Sequence, residues 1–257
     1  QYRPDYVIGT SGGALFGCFM AAGLSSKDME NAFKKYKPWK QFRLAPMLWI
    51  ADFFQYWGLV RIEKIQRLLD KILNEYDINW GSFEETKFQC VVTDLNEGRR
   101  KYIPTDLDMS LSKAITASIA IPGIFEPVWL TDENEIKHCY VDGGVCEGYP
   151  VKAALSHGRD NVKIFAISPF DITKKRNYEF KKKMQYARIL YRTLLDAKGE
   201  DMIDLLEYDL GDYYLPTGFY SKHVLDFDWE TVKTNIDIGY QNAKQYSQKI
   251  ENFFSTP

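Results

Sequence analysis

Apolar side chains along the chain switch between two spacings, and the switching lays out alternating strands and helices. Short apolar runs bounded by turn residues predict strands at about 5–9, 88–94, 137–142 and 162–168. Between them apolar positions recur every three or four residues, the spacing of one helix face. One helix is expected over 13–23, and a second over 26–36 with Ser26 as its cap and Met29, Phe33 and Tyr36 on one side. Residues 62–75 place Ile62, Ile65, Leu68, Leu69 and Ile72 on one stripe, and residues 110–119 form a similar helix leading into a turn at Pro122. The stretch 229–254 spaces Val232, Ile236, Tyr240, Ala243, Tyr246 and Ile250 along another stripe, which is expected to pack on the sheet. Alternation of this kind predicts an α/β fold with a mostly parallel central sheet. No internal repeat, low-complexity tract or linker divides the chain, so residues 1–257 are expected to form a single domain.

Composition narrows the function classes. A chain of 257 residues with 45% apolar content can bury one sizeable core. Its 33 basic and 35 acidic residues leave a net charge of −2, which argues against a general nucleic-acid binder. Cys18, Cys90, Cys139 and Cys146 include no C-x-x-C pair and are too few for a disulfide framework, so reduced thiols in a cytoplasmic protein are expected. The absence of an Asn-x-Ser/Thr acceptor agrees with that. No H-E-x-x-H or clustered His/Cys pattern occurs, and neither a metal nor another cofactor is expected.

The segment Gly9-Thr10-Ser11-Gly12-Gly13 follows the apolar run Tyr6-Val7-Ile8 and precedes the helical run Ala14 to Ala22. A serine between glycines at a strand-to-helix junction is the pattern of a nucleophile elbow, a sharp turn that presents the hydroxyl outward. The flanking glycines Gly9, Gly12 and Gly13 fit a turn so tight that a Cβ would clash. The helix that begins behind Ser11 offers free N–H groups and a partial positive charge, so the Gly12 N–H is placed to face an oxyanion. By itself the pentapeptide also fits an ordinary glycine-rich turn.

A second segment, Tyr140-Val141-Asp142-Gly143-Gly144-Val145, runs another apolar strand into a glycine turn with a carboxylate at the strand end. A serine hydroxyl is a weak nucleophile until a neighbouring group takes its proton, and a carboxylate tuned by burial can do so. Asp142 is the candidate base, with Gly143 and Gly144 shaping its turn. Alone, this segment also fits an Asp-Gly turn between strands.

Taken together, these segments resemble the patatin-like phospholipase family, whose members carry a G-x-S-x-G serine and a D-G-[GA] aspartate as a catalytic dyad. A third block agrees: Ala117-Ser118-Ile119-Ala120-Ile121-Pro122-Gly123-Ile124-Phe125-Glu126-Pro127 is similar to the family's A-S-x-A-x-P-x-x-F-x-P stretch. Weaker echoes are Gly58-Leu59-Val60, Thr93-Asp94-Leu95 with Gly98, and Gly239-Tyr240. The resemblance implies a three-layer α/β/α sandwich. It also implies a lipid acyl hydrolase that cleaves fatty-acyl esters of phospholipids through Ser11, Asp142 and an acyl-enzyme.

The chain departs from the family in two places. The family's glycine-rich oxyanion loop lies upstream of the serine, and Ser11 stands too near Gln1 for it, so the sequence is expected to lack the first strand and that loop. After Asp142, Gly148 stands where the family usually has asparagine, although Pro150 is kept.

Alternatives stay open. A Ser-Asp-His triad would have to draw on His138, His157 or His223. An acyl-carrier-protein transacylase typically has histidine directly before the serine, where this chain has Thr10. The same dyad would serve an acyltransferase, and a non-catalytic or partner-activated lipid-binding protein would keep the fold. The apolar window Pro46 to Val60 is too short to span a bilayer but fits a lid or an interfacial surface, and the basic stretch Lys174 to Lys183 suits anionic headgroups. Peripheral membrane contact is therefore expected.

Overall fold

The computed structural model of the protein describes residues 3–38, 40, 57–58, 60–157, 163–168, 214–216 and 229–255. The chain divides into two units, one built on Arg3–Ala153 and one on Ala154–Pro257.

The first unit is an α/β structure around a five-stranded mixed sheet. It runs β1 (Tyr6–Thr10), α1 (Gly12–Ala21), α2 (Ser26–Tyr36), α3 (Ile62–Glu75), β2 (Lys87–Asp94), β3 (Arg99–Ile103), α4 (Leu111–Ser118), β4 (Val128–Thr131) and β5 (Lys137–Asp142). A short α5 (Val151–Leu155) follows. Helix α1 contains no polar side chain, and its inner face buries Ala14, Cys18 and Phe19. Gly17 allows its close approach to β1, because a Cβ there would lie 2.9 Å from Val7 Cγ1. Helix α3 follows its sequence stripe, burying Ile62, Ile65, Leu69, Ile72 and Leu73. Phe88 and Val92 of β2, Ile103 of β3 and Ile115 of α4 belong to the same core.

Strand β2 is the hub of the sheet. It pairs parallel with β1 as far as Thr10↔Val91 and antiparallel with β5 from Val92↔Asp142 to Asp94↔Tyr140. It also pairs antiparallel with β3 over Cys90–Asp94. A strand has only two hydrogen-bonding edges. Since β3 occupies one edge along Cys90–Asp94, β1 and β5 share the other. They run toward each other along β2 and end at neighbouring positions, Val91 and Val92.

The expected mostly parallel sheet is corrected here. Of the described pairings in this sheet, β1–β2 is parallel, while β2–β3, β2–β5 and β4–β5 are antiparallel. Two of these three have a local cause, since the turns Leu95–Gly98 and Asp132–Ile136 close hairpins and hairpins join antiparallel strands without a crossover helix, while β2–β5 joins segments distant in sequence. Strands β3 and β4 were not expected from the sequence. Helix α2 is capped by Ser25 rather than Ser26, in a capping box with Asp28.

In the second unit, β6 (Ala166–Ser168) pairs parallel with β7 (Tyr214–Pro216). The expected helix over 229–254 is two helices, α6 (Trp229–Gln245) and α7 (Ser247–Ser255). Along its predicted stripe Ile236 and Tyr240 are 45% and 65% exposed, the other positions are partly buried, and Thr231 is the buried residue of α6. Phe165, Phe253 and Phe254 form an aromatic cluster with ring centroids 4.9–5.7 Å apart. Most of the apolar window 46–60, the basic stretch 174–183 and His223 lie outside the described residues.

Candidate active site

Ser11 stands between β1 and α1 with φ 56° and ψ −125°, in the left-handed half of backbone space that side chains other than glycine rarely enter. Neighbours hold it there. Its N–H donates to Ser118 Oγ at 3.0 Å, and the Ser118 hydroxyl donates to the Val91 carbonyl at 2.7 Å. Its carbonyl accepts from Ala14 at 2.9 Å and Leu15 at 3.3 Å, closing the first turn of α1. Gly9 is the glycine the turn demands, because a Cβ there would lie 2.3 Å from the Gly13 carbonyl oxygen. Gly12 and Gly13 have nothing within 4 Å of such a position, so the expected clash does not apply to them. They are exposed and leave open space beside the serine, which is itself half-buried rather than fully exposed. Their N–H groups open α1, where an α-helix has no intrahelical partners for its first donors.

Asp142 ends β5 and begins the 3₁₀ turn Gly143–Val145. It is 3% exposed. Oδ1 accepts from the Gly144 N–H at 2.7 Å, whereas Oδ2, also buried, has no hydrogen bond of good geometry among the described residues. Burial pushes the carboxyl up to about 6, and the nearby Ser11 hydroxyl and the Gly144 N–H pull partly against that rise. A Cβ on Gly143 would lie 2.3 Å from the Val91 carbonyl oxygen, so glycine is required for the turn to pass β2.

The two motifs therefore meet because β1 and β5 end head to head on one edge of β2. At that junction the Val91 carbonyl takes the Ser118 hydroxyl, which in turn fixes the Ser11 backbone. Ser118 is 0% exposed. It lies inside the third sequence block, but nothing in the sequence signals these two bonds. Another echo also has a physical basis: Gly58 presses against the Phe125–Glu126 backbone, where a Cβ would lie 2.3 Å from Phe125 C.

His138, a triad candidate, is engaged elsewhere. Its Nδ1 meets Asp94 Oδ2 at 2.7 Å, and that contact, foremost among its causes, raises the imidazole pKa. It stands four positions before Asp142, about 13 Å along β5. Asp94, Glu97 and His138 group metal-ligand types within 4.8 Å. They are held by protein partners: Asp94 Oδ1 accepts from the Asn96 and Glu97 N–H groups at 2.9 and 3.3 Å, and Glu97 pairs with Arg99 and, at 2.8 Å, with Lys101. The four cysteines are free, and burial raises the Cys18 thiol to about 12. Among the described residues no helix is long and apolar enough to cross a membrane.

Comparison with known proteins agrees with the family resemblance. The chain is 27% identical over 165 residues to the uncharacterized protein YqhO of Bacillus subtilis (strain 168), covering 58% of this chain and 56% of that relative. The match thus spans little more than half of the relative's length. Residues 1–155, which include Ser11, Ser118, Asp142 and every strand of the five-stranded sheet, match the patatin-like phospholipase family, and the chain belongs to that family.

Proposed function

We propose that the protein is a lipid acyl hydrolase that cleaves fatty-acyl esters of phospholipids or related acyl lipids with Ser11 as nucleophile and Asp142 as general base. The observation that carries this reading is the state of Asp142, a buried carboxylate with one unpaired oxygen, raised to about 6 beside a serine on a strained turn. A base with a pKa near the working pH is ionised in most molecules yet still returns its proton readily.

In the proposed mechanism, Asp142 takes the Ser11 proton as Oγ bonds the ester carbonyl carbon. The oxyanion of the tetrahedral intermediate faces the Gly12 N–H at the positive end of α1. The carbonyl re-forms as the alcohol leaves with the proton from Asp142, giving the acyl-enzyme. Water then gives a proton to Asp142 and attacks the acyl carbon. Collapse of that intermediate releases the fatty acid and returns the proton to Ser11. The outer face of α1 suits an acyl chain, since its exposed positions Gly12, Gly13, Phe16 and Met20 are all apolar. Peripheral membrane contact and a single three-layer α/β/α domain over 1–257 complete the proposal.

Fatty-acid release from mixed phospholipid vesicles tests it, with wild type run beside Ser11→Ala, Asp142→Asn and a variant lacking all three histidines. Release that vanishes in both dyad variants and survives without histidine is expected. Release that persists in Ser11→Ala would overturn the reading.

A further inference from the structure

We propose that Glu147 is the positioning residue of this site, locking the turn after Asp142 to the end of β1 and to the face of β3. The inference rests on the Ser11–Asp142 reading and adds a residue to which no role has been assigned.

Glu147 is 4% exposed. An ionised carboxylate is costly to bury unless it is paired and hydrogen-bonded. Its Oε2 accepts from the Tyr102 hydroxyl at 2.6 Å and meets Arg100 Nε at 2.9 Å, while the buried Oε1 has no hydrogen-bond partner among the described residues. Burial, before other causes, raises the Tyr102 hydroxyl above its usual range, which keeps it a donor. The Glu147 main chain is tied at both ends. Its N–H donates to the Gly143 carbonyl at 2.8 Å, and its carbonyl accepts from the Thr10 hydroxyl at 3.0 Å. Thr93 supports the same turn, donating to the Gly143 carbonyl at 3.4 Å and accepting from the Cys146 N–H at 3.2 Å.

These contacts fall on adjoining levels of the sheet. Thr10 and Tyr102 both pair with Val91, on opposite edges, and Arg100 pairs with Thr93. Arg100 and Tyr102 are two apart on β3 and project from the same face. Glu147 thus fastens the last residue of β1 and the turn after β5 to the strand beyond β2. Strands β1 and β5 do not pair with each other, so this clasp acts where the ladder supplies no bond. Among the described residues the groups acting on Asp142 itself are the Ser11 hydroxyl and the Gly144 N–H, neither of them charged. Releasing the clasp widens the junction and lets water reach the carboxyl, which lowers its pKa toward the ordinary range.

The test follows the Asp142 carboxyl by ¹³C NMR titration in protein carrying labelled aspartate, with kcat and KM measured in parallel on a soluble short-chain ester. Wild type is compared with Glu147→Gln, Thr10→Val and the control Glu97→Gln. Glu147→Gln is expected to move the Asp142 midpoint downward and to reduce kcat by about tenfold to a hundredfold with KM little changed. Thr10→Val moves both in the same direction by less, and Glu97→Gln moves neither. A Glu147 that only stabilises the fold would lower the folded fraction and leave the midpoint in place. If Glu147→Gln does not fold, Thr10→Val decides, since it removes one hydroxyl and no charge. An unmoved midpoint with unchanged kcat in a folded variant overturns the proposal. The titration needs no turnover, so an inactive wild type would sink the hydrolase reading while this test still returned its answer.

Discussion

Asp94 and Asp142 lie close together on neighbouring strands and are almost equally buried, at 0% and 3% exposure, yet their surroundings differ in kind. Asp94 has both oxygens engaged, one by two backbone N–H groups and the other by His138. Asp142 has one oxygen engaged and one without a well-formed bond. Burial by itself therefore does not make a carboxylate reactive. Incomplete satisfaction without a charged partner does, because the ionised form is then disfavoured and a proton is welcome, whereas Glu147, also incompletely satisfied, has Arg100 beside it.

Activity should separate the two most widely. Ser11→Ala and Asp142→Asn are expected to lose at least about 10³-fold in kcat/KM on a chromogenic ester, as loss of a nucleophile or its base does elsewhere. Asp94→Asn should stay near wild type. The acid limb of the wild-type profile should fall at about pH 6, where Asp142 protonates. A limb that moves in Asp94→Asn but not with substitutions around Asp142 would reverse the assignment.

Stability should separate them with opposite signs. Asp142 is raised in the folded protein from 3.8 to about 6, so its favourable contribution is complete below 3.8 and is lost as pH rises through 6. Asp142→Asn should therefore stabilise the protein at pH 8 by up to about 3 kcal/mol, taking about 1.4 kcal/mol per pKa unit. Asp94→Ala should instead destabilise by about 1–3 kcal/mol, since it orphans two N–H groups and His138. Chemical denaturation at pH 8 reads both.

Ser118→Ala removes the acceptor for the Ser11 N–H and the donor to Val91, and should lower stability by about 1–3 kcal/mol. It should also slow labelling of Ser11 by a fluorophosphonate. Normal labelling in this variant would mean that the strained turn holds itself. The smallest effect belongs to His138, whose pKa is raised above its unfolded value. Its contribution is complete below the unfolded pKa and is lost as pH rises through the folded one. Thermal scans from pH 5 to 8 should show that slope in wild type and a flatter one in Asp94→Asn.

The glycine turns made much of the site legible, because a demand for glycine is local. A Cβ at Gly9 or Gly143 would lie 2.3 Å from a backbone oxygen, and the nearby Ser11 and Asp142 could be picked out from the pattern. Strand β3 was hidden by its sequence, Arg99-Arg100-Lys101-Tyr102-Ile103, which shows charge rather than apolar alternation. The mixed sheet was hidden as well, since direction and register are settled between distant segments. Ser118 and Glu147 act through partners far away in sequence, so no spacing rule points to them. On the C-terminal stripe Ile236 and Tyr240 stay exposed, because periodicity reports a potential face and not what covers it.

The head-on arrangement of β1 and β5 makes strand length a ruler. One residue inserted in β1 would carry Ser11 about 3.3 Å along β2 and turn its neighbours to the opposite face, with no slack to absorb the change. Length changes at the far ends, before Tyr6 or in the β4–β5 turn, leave the gap between Ser11 and Asp142 as it is. Those far ends are where this architecture tolerates insertions.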